Sequence, residues 1–228
     1  MNLASPKTDN NNSSSDDSQS ATSVGEKVEP GTATEDNAVL KEDPRVIVEK
    51  ASEGKIIAMV IAFKDFRDEE YFVPKELFTI AGALVKTVST QKGMASGADG
   101  GQVAVDFTVS EINVDAFDAV VFVGGPGTFD YLDKPIVYNL AKDAVAKKKV
   151  VAAICAAPAV LANAGVLQGK QATVWTSSMD KSLVEILEDN GATYVNKSVV
   201  TDGLLVTGSG PEAADPFGMA VIEALMNL

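Results

Sequence analysis

The 228-residue chain contains no histidine, one cysteine and one tryptophan. Without imidazole there can be no Ser-His-Asp or Cys-His nucleophile pair, no histidine-based zinc site and no imidazole pH switch. A single cysteine excludes an intrachain disulfide framework, a CxxC redox pair and a cysteine-based structural zinc site. No metal and no cofactor are therefore expected. Basic residues are also scarce: 19 Lys and Arg stand against 32 Asp and Glu, for a formal charge of −13. That balance argues against nucleic-acid binding and against adhesion to anionic membranes, both of which need clustered cations. No run approaches the roughly 18 apolar residues that a membrane span needs, so no direct membrane insertion is expected. The chemistry left to the chain belongs to carboxylates, hydroxyls, backbone amides and one thiol.

The acidity is uneven. Residues 1–50 carry a net charge of −5 and the other 178 residues −8. The first 38 residues include NNNSSSDDSQS and no aromatic. Such a stretch has too little to bury to offset the entropy of ordering its backbone, so residues 1–50 read as a disordered acidic and polar tail. As a flexible coil it would span roughly 40 Å on average. It reads either as a solubilising segment or as a tether. MNLASPKTDN lacks the apolar h-region of a signal peptide, so a cytoplasmic location is expected. If Met1 replaces a removed lipoprotein signal, the same tail would suit an extracytoplasmic spacer.

Residues 51–228 read as one domain with enough chain for a sizeable core. The runs 55–63, 83–89, 118–125, 149–155, 172–175 and 203–209 are short, apolar and rich in β-branched residues. Most are apolar throughout, as in strands covered on both faces of a parallel sheet. Between them, 74–83, 135–148, 158–167, 179–191 and 211–227 have helical spacing, with Pro near several starts and Gly at several ends. TYVNKSVVTDG (193–203) reads as a small hairpin turning at Asn196-Lys197. The alternation predicts a doubly wound, mostly parallel sheet in a three-layer α/β/α sandwich.

Ligands of open α/β sheets bind beyond the carboxyl ends of the strands. Four loops leave that edge: GGPGT (124–128), ICAAP (154–158), FKDFRDEEYFVP (63–74) and WTSS (175–178). They hold the only cysteine, the only tryptophan and a dense carboxylate cluster. Cys155 ends an apolar strand and precedes the helix PAVLANAG. There the helix dipole and free N–H groups are expected to lower the thiol pKa and make it a nucleophile, as in a nucleophile elbow. A buried, inert cysteine is the bland alternative. GGPG lacks the spacing of a GxGxxG fingerprint. It reads better as a tight turn whose Gly125 amide, paired with that of Ala156, could hold a developing oxyanion.

The runs VVFVGGPG, VVAAICAAPAVLANAGVLQGKQATVW and VVTDGLLVTGSGPEAADPFGMAVIEAL resemble the DJ-1/PfpI family, part of the class I glutamine-amidotransferase-like superfamily. The resemblance covers roughly residues 54–228. It implies a flavodoxin-like sandwich, a homodimer, and a reactive elbow cysteine contacted by a protonated glutamate. The family's glutamate lies four residues before a proline; Pro74 puts that role on Glu70. Crowding by Asp68 and Glu69, and a facing thiolate, would raise its pKa. Gly124 and Pro126 would line the pocket, and Trp175 would cap it or else pack in the core.

The departures from the family matter as much. Peptidase-like members have histidine directly after the nucleophile, where this chain has Ala156. Another branch has histidine twenty residues beyond the cysteine, where Trp175 stands. Ser209 replaces an arginine often found in the family's late segment. A Cys-His protease and a glutamine amidotransferase are thereby disfavoured. Three readings stay open. Cys155 and Glu70 could act on a small-molecule carbonyl substrate in a glyoxalase- or deglycase-like reaction during carbonyl or oxidative stress. Cys155 could instead be a redox sensor oxidised to a sulfinate held by Glu70. The domain could also be a non-catalytic, chaperone-like dimer.

Overall fold

Strands that are apolar on both faces require cover on both faces, and the order of elements supplies it. The computed structural model describes residues 50–228; the tail expected over residues 1–50 lies, apart from its last residue, outside them. Along the chain run β1 (Ile56–Val60), β2 (Lys64–Phe66), α1 (Asp68–Ile80), β3 (Leu84–Ser89), β4 (Met94–Gly97), β5 (Gln102–Ala104), β6 (Phe107–Thr108) and β7 (Ala119–Phe122). Then come α2 (Thr128–Leu132), α3 (Pro135–Ala146), β8 (Val150–Ile154), α4 (Ala157–Asn163), β9 (Gln171–Ala172) and α5 (Ser182–Asp189). β10 (Thr193–Tyr194), β11 (Val199–Asp202), β12 (Leu205–Gly208) and α6 (Ala214–Met226) complete the fold.

Seven strands form the central sheet in the order β11-β12-β8-β7-β1-β3-β6. Every neighbouring pair is parallel except β11 with β12. Alternate residues of the central strands face opposite layers. Ile57, Met59 and Val121 pack with Leu77 and Phe78 of α1 and with Phe217 and Val221 of α6. Ala58, Val60 and Val120 pack with Leu140 of α3, Leu161 of α4 and Leu187 of α5 on the other face. This is the expected three-layer, flavodoxin-like sandwich. The chain leaves β1 toward β3 on one side and returns to β7 on the other, so the strand order reverses between β1 and β7. That reversal opens a crevice beyond the carboxyl ends of β1, β7 and β8.

Several local expectations are corrected. The helix expected over 74–83 begins at Asp68, so Pro74 lies inside it and Glu70 sits in its first turn. Asp68, Glu69 and Glu70 complement the helix dipole there. Proline has no N–H to give the carbonyl of Glu70, four residues earlier, and it marks a mid-helix break in the ladder instead of the helix start. The hairpin expected to turn at Asn196-Lys197 instead joins β11 to β12 and turns at Gly203, which has φ +65°. Within 172–175 only Ala172 is in a strand, and β9 pairs with β10 outside the central sheet. A second small sheet, β2-β4-β5, was not expected.

That small sheet presses β2 onto the glycine-rich turn after β7. The Arg67 N–H donates to the Gly124 carbonyl at 2.9 Å, and the Gly127 N–H to the Asp65 carbonyl at 3.0 Å. A Cβ on Gly127 would stand 2.0 Å from the Lys64 carbonyl oxygen, so only glycine permits the approach. Among the described residues no helix is long and apolar enough to cross a membrane. Replacing Gly127 with alanine should cost about 1–3 kcal/mol, the usual penalty of overpacking. Urea denaturation should show a lower midpoint with an unchanged slope.

Candidate active site

Cys155 follows β8 directly and precedes α4, whose N-cap is Ala156. Its φ is +62°, in the left-handed region that non-glycine residues seldom occupy. Two hydrogen bonds hold this strained backbone. The Cys155 N–H donates to the Gly208 carbonyl, and the Trp175 N–H donates to the Cys155 carbonyl, both at 2.9 Å. Backbone strain kept in place by its surroundings is a common device at functional sites. Here it turns the side chain off the sheet edge into a cavity of about 310 Å³.

The cavity wall is made by Gly125, Pro126, Cys155, Ala156 and Trp175, together with Arg67, Phe129, Leu183 and Pro211. Trp175 is 37% exposed and lies at the rim, not in the core. Gly124 is buried behind the wall, between Cys155 and Glu70. A Cβ there would stand 2.6 Å from Cys155 Cβ and 2.8 Å from Glu70 Oε2, so the two side chains share the space that glycine leaves open. The N–H groups of Gly125 and Ala156 both approach the Cys155 sulfur. Neither is used by a backbone carbonyl.

Glu70 has no exposed surface. Its Oε2 accepts the Gly124 N–H at 3.2 Å, while Oε1 has no aligned hydrogen-bond partner. Burial pushes its carboxyl up from an ordinary 4.5 to about 7, against the smaller stabilising effects of Cys155, Arg67 and the Gly124 amide. The direction matches the expectation, but the cause is burial. Glu69 contributes least, and Asp68 faces elsewhere, accepting the N–H groups of Asp99 at 2.8 Å and Gly101 at 2.5 Å. For Cys155 the expectation is reversed. Burial, and then the Glu70 carboxylate, push the thiol above its ordinary value; the Ala156 and Gly125 amides offset this only in part. Above about pH 7 the pair therefore consists of a carboxylate beside a thiol, with one proton between them.

Arg67 is a site residue that sequence reasoning passed over. It sits between β2 and α1 and lines the cavity, with its Nη1 donating to both oxygens of Asp99 at 3.1 and 3.2 Å. Its Nε is buried without an acceptor. Burial alone would lower its pKa, but the Asp99 hydrogen bond and charge, with smaller contributions from Glu70 and Cys155, raise it. Phe129, Leu183 and Pro211 were also missed. A single cation inside an acidic cluster carries no periodic signal, and the apolar three read as ordinary packing residues.

The family model of the DJ-1/PfpI family matches residues 55–224. An uncharacterized protein of Methanocaldococcus jannaschii is 42% identical over 170 residues, covering 74% of this chain and 82% of that one. A Pyrococcus furiosus protein named a deglycase is 31% identical over 155 residues, covering 67% of this chain and 89% of its own. Among solved structures, a ThiJ/PfpI domain protein from Brachyspira murdochii superposes with a TM-score of 0.72 at 36% identity, covering 77% of this chain and 99% of that one.

The buried carboxyl makes a prediction about stability. A folded-state pKa above the unfolded value means that the native state holds its proton more tightly. The stability is then complete below pH 4.5 and falls as the pH rises toward 7. The displacement from 4.5 to about 7 corresponds to about 3 kcal/mol. Glu70→Gln keeps an acceptor for the Gly124 N–H and carries no charge. It should be more stable than wild type at pH 8 by up to that amount, with the difference closing below pH 4.5 in denaturant titrations.

Proposed function

This chain belongs to the DJ-1/PfpI family, and from that premise we propose that it is a cysteine-dependent enzyme acting on small α-oxoaldehydes, in a glyoxalase- or deglycase-like reaction. One observation carries the reading: a fully buried carboxyl whose pKa is near 7 stands beside a thiol on a strained elbow, with two unused amides directed at the sulfur. The deglycase name of the Pyrococcus furiosus relative agrees with it.

The chemistry follows from the protonation state. The thiol is pushed up, so it reacts with help from a base, and Glu70 is the base in contact with it. As Cys155 Sγ adds to the aldehyde carbon, the Glu70 carboxylate takes the sulfur's proton. The carbonyl oxygen becomes negative beside the Gly125 and Ala156 amides, the donors available to an adduct on this sulfur. Glu70 then returns the proton to that oxygen, which leaves a neutral hemithioacetal. With its carboxylate restored, Glu70 removes the hydrogen of the former aldehyde carbon as a proton and delivers it to the adjacent carbonyl carbon, while the hemithioacetal hydroxyl proton passes to the adjacent carbonyl oxygen. The product is a thioester of a hydroxy acid. Water cleaves it, releasing the acid and regenerating the thiol. The net change adds one water to the α-oxoaldehyde and needs no oxidant.

A carboxyl titrating near neutrality takes the place that imidazole fills in histidine-dependent enzymes. Methylglyoxal is the simplest probe, with lactate as its product. Cys155→Ser and Glu70→Gln should each lower kcat/KM by about a hundredfold or more, the scale of lost base catalysis. Because the ionised carboxylate is the active form, kcat/KM should rise with pH through a midpoint near 7 and level off above 8. Lactate formation that survives Cys155→Ser, or a flat profile between pH 5.5 and 8.5, would sink the reading.

A further inference from the structure

We propose that Arg67 makes this site selective for carbonyl compounds that carry a carboxylate, in preference to neutral α-oxoaldehydes. The substrate class rests on the reading of Cys155 and Glu70 given above, whereas the preference for an anion at Cys155 is a property of the cavity itself.

Among the described residues, Arg67 brings the only charged side chain to the cavity wall. Pro126, Phe129, Trp175, Leu183 and Pro211 offer apolar surface and no side-chain anion. The guanidinium is only half engaged. Asp99 takes both of its hydrogen bonds from Nη1 and is itself 55% exposed, on the solvent side. Nε has no acceptor but is shut off from solvent, so a ligand in the cavity meets the guanidinium through its remaining exposed N–H groups. A guanidinium edge presents two parallel N–H groups whose spacing matches a carboxylate. A ligand with a carbonyl at Cys155 and a carboxylate against the guanidinium would meet the one cation at the wall while its short carbon chain lies on the apolar surface.

Charge arithmetic favours a carboxylate over a phosphate. One guanidinium, already shared with Asp99, stands near a Glu70 that is ionised above about pH 7. With Asp99 and Glu70 already present, every added negative charge is opposed, so a ligand bearing one is favoured over a ligand bearing two. The cavity lies at the small end of ligand pockets, so carbonyl and carboxylate belong on a chain of a few carbons.

Thiol alkylation reads this without turnover. Iodoacetate and iodoacetamide react identically: the sulfur–carbon bond forms, the carbon–iodine bond breaks, iodide leaves, and the thiol proton passes to Glu70 or buffer. They differ only in carboxylate against amide. Cys155 is the sole cysteine, so whole-protein mass spectrometry reports its modification directly. The measured quantity is the rate ratio, iodoacetate over iodoacetamide, in the full chain at pH 8, referred to the same ratio for N-acetylcysteine. A ratio removes any general change in thiol reactivity.

The ratio for wild type should exceed that of N-acetylcysteine by about tenfold, the scale of one charge-assisted hydrogen bond. Arg67→Gln should bring it down to the free-thiol value or below. Arg67→Lys should fall between, and Asp99→Asn, which frees the guanidinium, should raise it further. Should Arg67→Gln fail to fold, the Lys and Asn variants decide the matter by the same ratio. A wild-type ratio at or below that of N-acetylcysteine, or one that no Arg67 variant moves, overturns the proposal. In that case Arg67 serves only to fasten the turn between β4 and β5. Absence of turnover of both methylglyoxal and a carboxylate-bearing α-oxoaldehyde, together with a raised ratio, would instead remove the enzyme reading and leave the anion site standing.

Discussion

Placing a carboxyl group where no water reaches it is costly unless it is neutral or well supplied with donors. Glu70 has one N–H, from Gly124, and no exposed surface. Much of the surrounding architecture answers that constraint. Gly124 must lack a side chain for the carboxyl to reach Cys155 at all. Glu70 lies in the first turn of its helix, where the helix dipole favours a negative charge. The small sheet β2-β4-β5 closes over the entrance to that helix and holds the glycine-rich turn in place. The fold accepts a destabilising group and surrounds it with close backbone contacts.

The absence of histidine takes on a different meaning beside this carboxyl. An imidazole titrates near neutrality in water and needs little from its surroundings to act as a base. A glutamate reaches the same range only if the protein withholds solvent from it. The thiol is caught in the same environment: what raises the carboxyl also raises the sulfur, so burial disfavours a thiolate beside an ionised Glu70. Helix position alone, from which a lowered thiol pKa follows, leaves out the larger effect of burial.

How far the sequence could be read depended on whether a signal was repeated or single. The central strands were legible because burial on both faces makes apolar runs such as Ile56–Val60 and Val150–Ile154 hard to mistake. Cys155, Gly125 and Ala156 were legible because strand ends in this architecture point to one edge. Pro74 misled because proline so often opens a helix; the competing signal, three acidic residues at Asp68–Glu70, marks the true first turn. The Asp202-Gly203 pair was a stronger turn signal than Asn196-Lys197, since glycine takes the left-handed conformation freely. The β4–β5 hairpin, short and glycine-flanked, has no periodicity to find, and Arg67 is intelligible only once that hairpin brings Asp99 beside it.

The turn between β4 and β5 grips two adjacent residues for different ends. Asp99 and Gly101 hold Asp68 by its carboxylate, and Asp99 holds Arg67 by its guanidinium. The thiol, the buried acid and the two amides come from other segments. Substitutions or length changes in this one surface turn therefore reach the cation at the cavity mouth and the first helical turn that carries Glu70 together. One exposed hairpin thus couples the mouth of the cavity to the buried acid behind it.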